Sequence, residues 1–192
     1  MVRRQVLPAV LMMVVLTVVL GLAYPLLITG IAQSTMSSKA DGSIVTVHGA
    51  KVGSSLIGQN FAAAKYFHPR PSAAGTNGYD AMASAGSNLG PTNPALVEAV
   101  QKRVAAFRAE NHLSPGVDVP VDAVTTSGSG LDPHISIANA KLQVDRVATE
   151  RHLDAATVAG LVSDHTDGRA LGFLGEPGVN VLELNVALDA LH

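Results

Sequence analysis

The sequence predicts an α+β protein in which one N-terminal transmembrane helix precedes a mixed α/β extracytoplasmic domain built on a small sheet. Three observations predict it. Residues 5–38 form an uncharged run of 34. All 15 acidic residues and 11 of the 13 basic ones follow that run. In the remainder, apolar residues recur at both helical and strand periods, without internal repeats.

Residues 6–27 are nearly all Leu, Val, Met, Ala and Ile. At a rise of ~1.5 Å per residue they reach ~33 Å, enough to cross a hydrocarbon core of ~30 Å. A cleaved export signal is the competing reading, but the run exceeds the usual apolar region of about 7 to 15 residues and no small-x-small site follows a short one. The chain has no cysteine, which excludes a lipoprotein anchor, disulfides and thiolate metal sites. Arg3 and Arg4 are the only charges before the span, so the basic bias places the N-terminus in the cytoplasm. The expected segments are a cytoplasmic N-terminus (1–5), a transmembrane helix (6–32), a Ser/Gly-rich connector (33–43) and an extracytoplasmic domain (44–192). The last carries 11 − 15 = −4 formal charges over residues 39–192, and no basic patch suggests nucleic acid. Pro8 sits in the first turn, where its missing N–H costs little; Pro25, beside Gly21 and Tyr24, predicts a kink or helix end. With no ionisable group in the span, this helix by itself offers no path for a cation.

Beyond the connector, residues 44–47 read as a β-strand that pairs with residues 51–57 across Gly49 and Ala50. Residues 66–68 form a third extended piece, closed by Pro69 and Pro71 with Arg70 between them. Residues 72–93, rich in Gly, Ser, Asn and Ala, read as a long loop, and Tyr79, Met82 and Leu89 suggest that it packs against something. Asn93 followed by Pro94 is a helix start, and Leu96, Val100, Val104 and Phe107 supply its apolar stripe to about Glu110. Residues 119–126 read as a strand. A flexible turn, Ser127, Gly128, Ser129 and Gly130, leads to Leu131, Asp132, Pro133 and His134. Ile137, Ala140, Val144, Val147 and Ala148 mark a second helix, and Asp154 caps a third that buries Val158, Leu161 and Val162. Leu182, Leu184, Val186 and Leu188 alternate with polar or small residues, the period of a half-buried strand.

The stretch 125–134 concentrates the polar groups. Ser129, His134 and Asp132 are the residue types of a hydrolytic triad, but the nucleophile elbow Gly-x-Ser-x-Gly is absent because Ser127 holds its first position. The Gly-rich turn could bind an anion through successive N–H groups, yet the phosphate-loop pattern with its lysine does not occur, and a strand-to-helix turn needing glycine is the commoner explanation. Asp132 and His134 with His48, His68 or His165 could only form a metal site by convergence in the fold, and no paired-histidine motif supports one, so no metal is expected.

Five strings carry a resemblance. They are Leu56-Ile-Gly-Gln-Asn-Phe61, Tyr66-Phe-His-Pro-Arg-Pro-Ser72, Gly86-Ser-Asn-Leu-Gly-Pro-Thr-Asn-Pro94, Val124-Thr-Thr-Ser-Gly-Ser-Gly-Leu-Asp-Pro-His-Ile-Ser136 and Val179-Asn-Val-Leu-Glu-Leu-Asn-Val-Ala-Leu-Asp189. In this order they resemble the motifs of the KdpC family. The resemblance implies a non-catalytic accessory subunit of a high-affinity, ATP-driven potassium uptake complex in the bacterial inner membrane. Its implied partners are a potassium-channel-like subunit, a P-type ATPase subunit that hydrolyses ATP, and a candidate small single-span subunit. It also implies a catalytic chaperone that raises the ATPase subunit's affinity for ATP. Ser127, Gly128, Ser129, Gly130, Asp132 and His134 would then be the candidate ATP or partner contact, and Gln59, Arg70, Tyr79, Asn88 and Asn93 further partner-contact candidates. No cofactor is expected to be held firmly by this chain, and ATP enters only through the complex. From outside the membrane, any effect on cytoplasmic ATP has to pass through the membrane subunits as a coupling between conformational states. The alternative class is an independent membrane-anchored protein binding a small extracytoplasmic ligand.

Overall fold

A computed structural model describes residues 2–191, in two units divided between Ile44 and Val45. Met1 and His192, which end the expected segments 1–5 and 44–192, lie outside the described residues.

The first unit is a helical rod. Helix α1 (Val2–Leu16) passes into a π-helical stretch (Thr17–Ala23) and then into α2 (Tyr24–Ala40). From Arg4 to Ala40 it is long and apolar enough to cross a membrane, and none of its apolar window is buried. Helical structure therefore continues through most of the stretch expected as a connector. The expected irregularity near Pro25 takes the form of the π turns just before it, with Pro25 itself in the first turn of α2. A sharper break falls at Met36 (φ −149°, ψ 51°). Its cause is local: the hydroxyls of Ser34 and Thr35 both donate to the Ile31 carbonyl, at 2.9 and 2.8 Å, and such back-bonding bends helices.

The expected hairpin forms as β1 (Ile44–Val47) with β2 (Ala50–Ser54), the second strand ending short of the expected residue 57. Helix α3 (Pro94–Glu110) starts where Asn93 predicts, its side chain accepting the Ala95 N–H at 2.9 Å. Its stripe is shallower than expected, since Phe107 is buried while Leu96, Val100 and Val104 are half-buried. Residues 119–126 are not a strand. Pro120 starts a single helical turn, α4 (Val121–Val124), and the Asp122 carboxylate fixes it by accepting from Ser136 N, Ser136 Oγ and Asn139 Nδ2 at 2.8, 2.8 and 2.9 Å.

Strand β3 (His134–Ile135) leads into α5 (Ile137–Arg151), capped by Ser136, and α6 (Ala155–Asp164) follows its Asp154 cap. Strands β4 (Thr166–Asp167) and β5 (Gly178–Asn180) complete an antiparallel sheet of order β3-β5-β4, with His134 opposite Asn180 and Thr166 opposite Val179. The closing segment is helix α7 (Val181–Asp189), not a strand. Its buried residues are Val181, Leu182, Leu184, Asn185 and Leu188, a helical stripe that includes a polar member. The alternation misleads because Asn185 faces inward.

That asparagine also explains residues 66–68, which form no strand. Asn185 Oδ1 accepts the Phe67 N–H at 2.9 Å and its Nδ2 donates to the Phe67 carbonyl at 3.0 Å, while Gln143 meets both backbone groups of His68 at 2.8 and 3.2 Å. Two side-chain amides thus stand in for a neighbouring strand and seat Phe67, fully buried, in the core with Ile135, Val147, Val158, Val179, Leu184 and Leu188. Each such apolar side chain stabilises the fold by ~1.5–3 kcal/mol through its burial.

Candidate functional site

The stretch 72–90 is irregular but docked. Ser72 Oγ accepts the N–H groups of Ala74 and Tyr79, at 3.1 and 2.8 Å, and donates to the Gly130 carbonyl at 2.6 Å. Ser129 O accepts from both Ala85 N and Ser84 Oγ at 3.0 Å. Ala74 is fully buried against this seam. Gly130 (φ +68°) is required there: a Cβ at this position would stand 2.6 Å from the Ala85 carbonyl oxygen and 2.8 Å from Ala74 N. Loop and turn therefore form one surface, on which Gly128, Ser129, Asn88 and Met82 are exposed.

A charged network borders it. Arg70 Nη1 donates to Asp132 Oδ2 at 2.9 Å and Nη2 to the Thr126 carbonyl at 3.4 Å, while its buried Nε has no hydrogen-bond partner among the described residues. Asp132 Oδ1 accepts the His134 backbone N–H at 3.0 Å and lies 3.8 Å from His134 Nδ1. On its other side the His134 ring meets Asp167, Nε2 to Oδ2 at 3.0 Å. Arg70, Asp132, His134 and Asp167 line a cleft of about 560 Å³ that Asp122 and Glu176 complete. The Tyr79 hydroxyl donates to the Arg70 carbonyl, and burial pushes its pKa up to about 12. The phenol thus stays a neutral donor at any ordinary pH, holding the loop to the arginine.

The geometry does not assemble the chemistry weighed from sequence. Ser129 Oγ accepts the Leu131 N–H at 3.1 Å while His134 turns to Asp167, so serine and histidine are not paired. The Gly-rich turn spends two N–H groups on itself, Gly130 N to Ser127 O and Leu131 N to Ser129 Oγ. His68 pairs with Glu110 at 3.1 Å and His165 Nδ1 meets the Leu161 carbonyl, so neither joins His134. Among the described residues, no three histidine or carboxylate groups stand where they could hold a metal ion.

Arg70 and Tyr79 stand beside Asp132 and His134, and Ser127 to Gly130 lie alongside. Gln59 does not: its amide donates to the Val52 carbonyl at 3.0 Å, inside the hairpin region. Asn93 serves as the cap of α3. Asn88 is exposed in a left-handed conformation (φ +53°) at the rim of the docked loop. Sequence reasoning missed Asp167 and Asp122. Each partners a residue that lies 14 or more positions away in the chain, and only the β3-β5-β4 order brings Asp167 to His134.

Residues 6–190 match the family model described as KdpC, the c chain of K+-transporting ATPase. The chain belongs to the KdpC family. A curated relative from Mycobacterium tuberculosis (strain H37Rv), named Potassium-transporting ATPase KdpC subunit, is 58% identical over 189 residues, which is 98% of this chain and 100% of the relative. Relatives of the same name from Koribacter versatilis and Dechloromonas aromatica are each 54% identical, over 97% and 96% of this chain and 95% and 96% of their own length. As a KdpC subunit, the chain is an accessory member of the potassium-transporting ATPase complex and not its catalytic one. These relatives do not favour the independent ligand-binding alternative. Of the KdpC motifs quoted from sequence, 124–136 and part of 86–94 fall on the docked seam, 66–72 includes the segment seated by Asn185 and Gln143, 179–189 carries β5 and α7, and 56–61 follows the β1–β2 hairpin.

Proposed function

We propose that the second unit acts outside the cytoplasm as a docking piece, and that the surface made by the loop 72–90 and the turn 127–130 rests on the outer face of a channel-like membrane subunit. The observation that carries this is the docking of loop on turn. A long, low-charge loop is held rigid by Ser72, Ser84 and Tyr79, which preorganises it for contact at low entropic cost. The unmet Nε of Arg70 at its border agrees with a surface that is completed in the assembly.

The helix from Arg4 to Ala40 is the inner-membrane anchor, and Arg4 ahead of it favours a cytoplasmic N-terminus. A P-type ATPase subunit and a small single-span subunit are the further partners. Ser127, Gly128, Ser129, Gly130, Asp132 and His134 serve partner contact in this arrangement. Any gain in ATP affinity reaches the ATPase subunit as a coupling between conformational states, reciprocal with the docking.

Replacing Asp132 and His134 together with alanine tests the surface. Both side chains are only half-buried, so the unit should keep its melting temperature within a few degrees. Partner recovery with the tagged chain and potassium uptake should fall about tenfold. Unchanged complex yield and uptake would refute the assignment.

A further inference from the structure

Along its own helix, the π-helical stretch leaves the Leu20 carbonyl without a backbone donor. Tyr24 N–H donates to the Val19 carbonyl, five residues back. The Leu20 carbonyl then has two remaining routes along its own helix. An α-type bond needs Tyr24 N–H, which is already given to Val19; a π-type bond needs the N–H of residue 25, which is Pro25 and has none. The pattern has a local cause, because the proline ring clashes with the carbonyl four residues earlier and widening the helix relieves that clash.

Leu20 lies near the centre of the uncharged run, with about 14 residues on either side before Val6 and Gln33. That places its carbonyl roughly 20 Å from both ends at ~1.5 Å per residue, where no water is at hand and an unpaired polar backbone group costs several kcal/mol. The π-helical stretch offers no side-chain remedy. Thr17, the hydroxyl in this stretch, lies N-terminal to Leu20, and helical hydroxyls reach back towards carbonyls three or four positions earlier. The other residues of the stretch are Val, Leu, Gly and Ala. The approach is open: no residue here is buried, and a Cβ on Gly21 would meet only Thr17 Cγ2, at 3.8 Å.

We propose that the Leu20–Gly21 face of this helix seats a transmembrane helix of another subunit, which donates a neutral hydroxyl or amide hydrogen to the Leu20 carbonyl. This rests on the reading of the helix as a membrane anchor within an assembly. The donor is neutral because a charged side chain at this depth costs more than the bond returns. Gly21 lets the partner backbone come close, as small residues do at helix interfaces in lipid. A second copy of this chain is disfavoured, since in the same orientation and register its span hydroxyls, Thr17, Tyr24 and Thr29, stand three, four and nine positions away from Leu20.

Two variants of the full chain, tagged and expressed with its operon, test the proposal. Pro25→Ala restores an N–H at position 25, so that the helix can satisfy Leu20 itself; Gly21→Leu covers the face. Both should enter the membrane fraction as the wild-type chain does, and both should recover partner subunits about three- to tenfold less well in mild detergent. Val14→Leu, outside the widened turns, should recover them at the wild-type level. Wild-type recovery by both Pro25→Ala and Gly21→Leu overturns the proposal, as does a loss confined to a differently tagged second copy of the chain. Failure of the wild-type chain itself to recover partners counts instead against the reading of it as a docked subunit.

Discussion

Arg146→Ala should destabilise the second unit by ~3–5 kcal/mol, the largest effect expected of any single substitution in it. Arg146 is 4% exposed, yet no carboxylate among the described residues pairs with it. Its guanidinium instead donates to Asn111 Oδ1 at 2.9 Å, Gln143 Oε1 at 2.7 Å, the Tyr66 carbonyl at 3.0 Å and the Ala64 carbonyl. Burial pulls its pKa below the ordinary arginine range, against the raising fields of Glu110 and Glu150. Truncation would strand four acceptors, and two of them are backbone groups just ahead of Phe67. It would also free Gln143, which orders the backbone of His68. Thermal unfolding of the full chain in detergent should shift downward by about 6–20 °C, at roughly 2–4 °C per kcal/mol for a unit of this size. Arg146→Lys should recover only part of that loss, because an ammonium cannot fork to acceptors on three elements. A shift within 2 °C for Arg146→Ala would contradict the account of how the 63–68 segment is held.

The second large effect falls at Gly130. Gly130→Ala places a Cβ where the loop and turn touch, 2.6 Å from Ala85 O and 2.8 Å from Ala74 N, on a backbone whose φ of +68° disfavours any side chain. Left-handed strain of ~1–2 kcal/mol adds to the steric cost, so a loss of about 2–4 kcal/mol is expected. The cheapest relief is to lift the 72–90 loop off the turn, which breaks the bonds from Ala85 and Ser84 to Ser129. Limited proteolysis should then cut within residues 76–90 at least tenfold faster than in the wild-type chain, while cleavage elsewhere changes little. Equal rates would show that the seam does not depend on this glycine.

Much of the architecture was legible because its signals are local. The caps at Asn93 and Asp154, the apolar stripe of α5 and the Gly49 turn of the hairpin each lie within a few residues of what they determine. What was not legible depends on polar residues that look like surface and are not. Asn185 is buried to serve the backbone of Phe67, 118 positions away, and this turned an amphipathic helix into an apparent alternating strand. Asp122, read within a strand, instead ties a helical turn to the cap of α5. At the candidate site, Asp132, His134 and the Gly-rich turn are neighbours in the chain and stood out together, and the prolines flanking Arg70 marked its restricted backbone. Asp167 carried no local signal, since its role follows from strand order alone. In the first unit the apolar run announced a span, but the effect of Pro25 falls on the turns before it, where composition shows only ordinary membrane residues.

The most direct test of the account is co-purification from the native operon. The chain is tagged and extracted in mild detergent, and the eluate is assayed for partner bands and potassium-stimulated ATP hydrolysis, with a chain-deleted strain as control. The account predicts stoichiometric large membrane partners with the wild-type chain and loss of potassium-stimulated hydrolysis in the deleted strain. A lone monomer, together with intact hydrolysis after deletion, would contradict it.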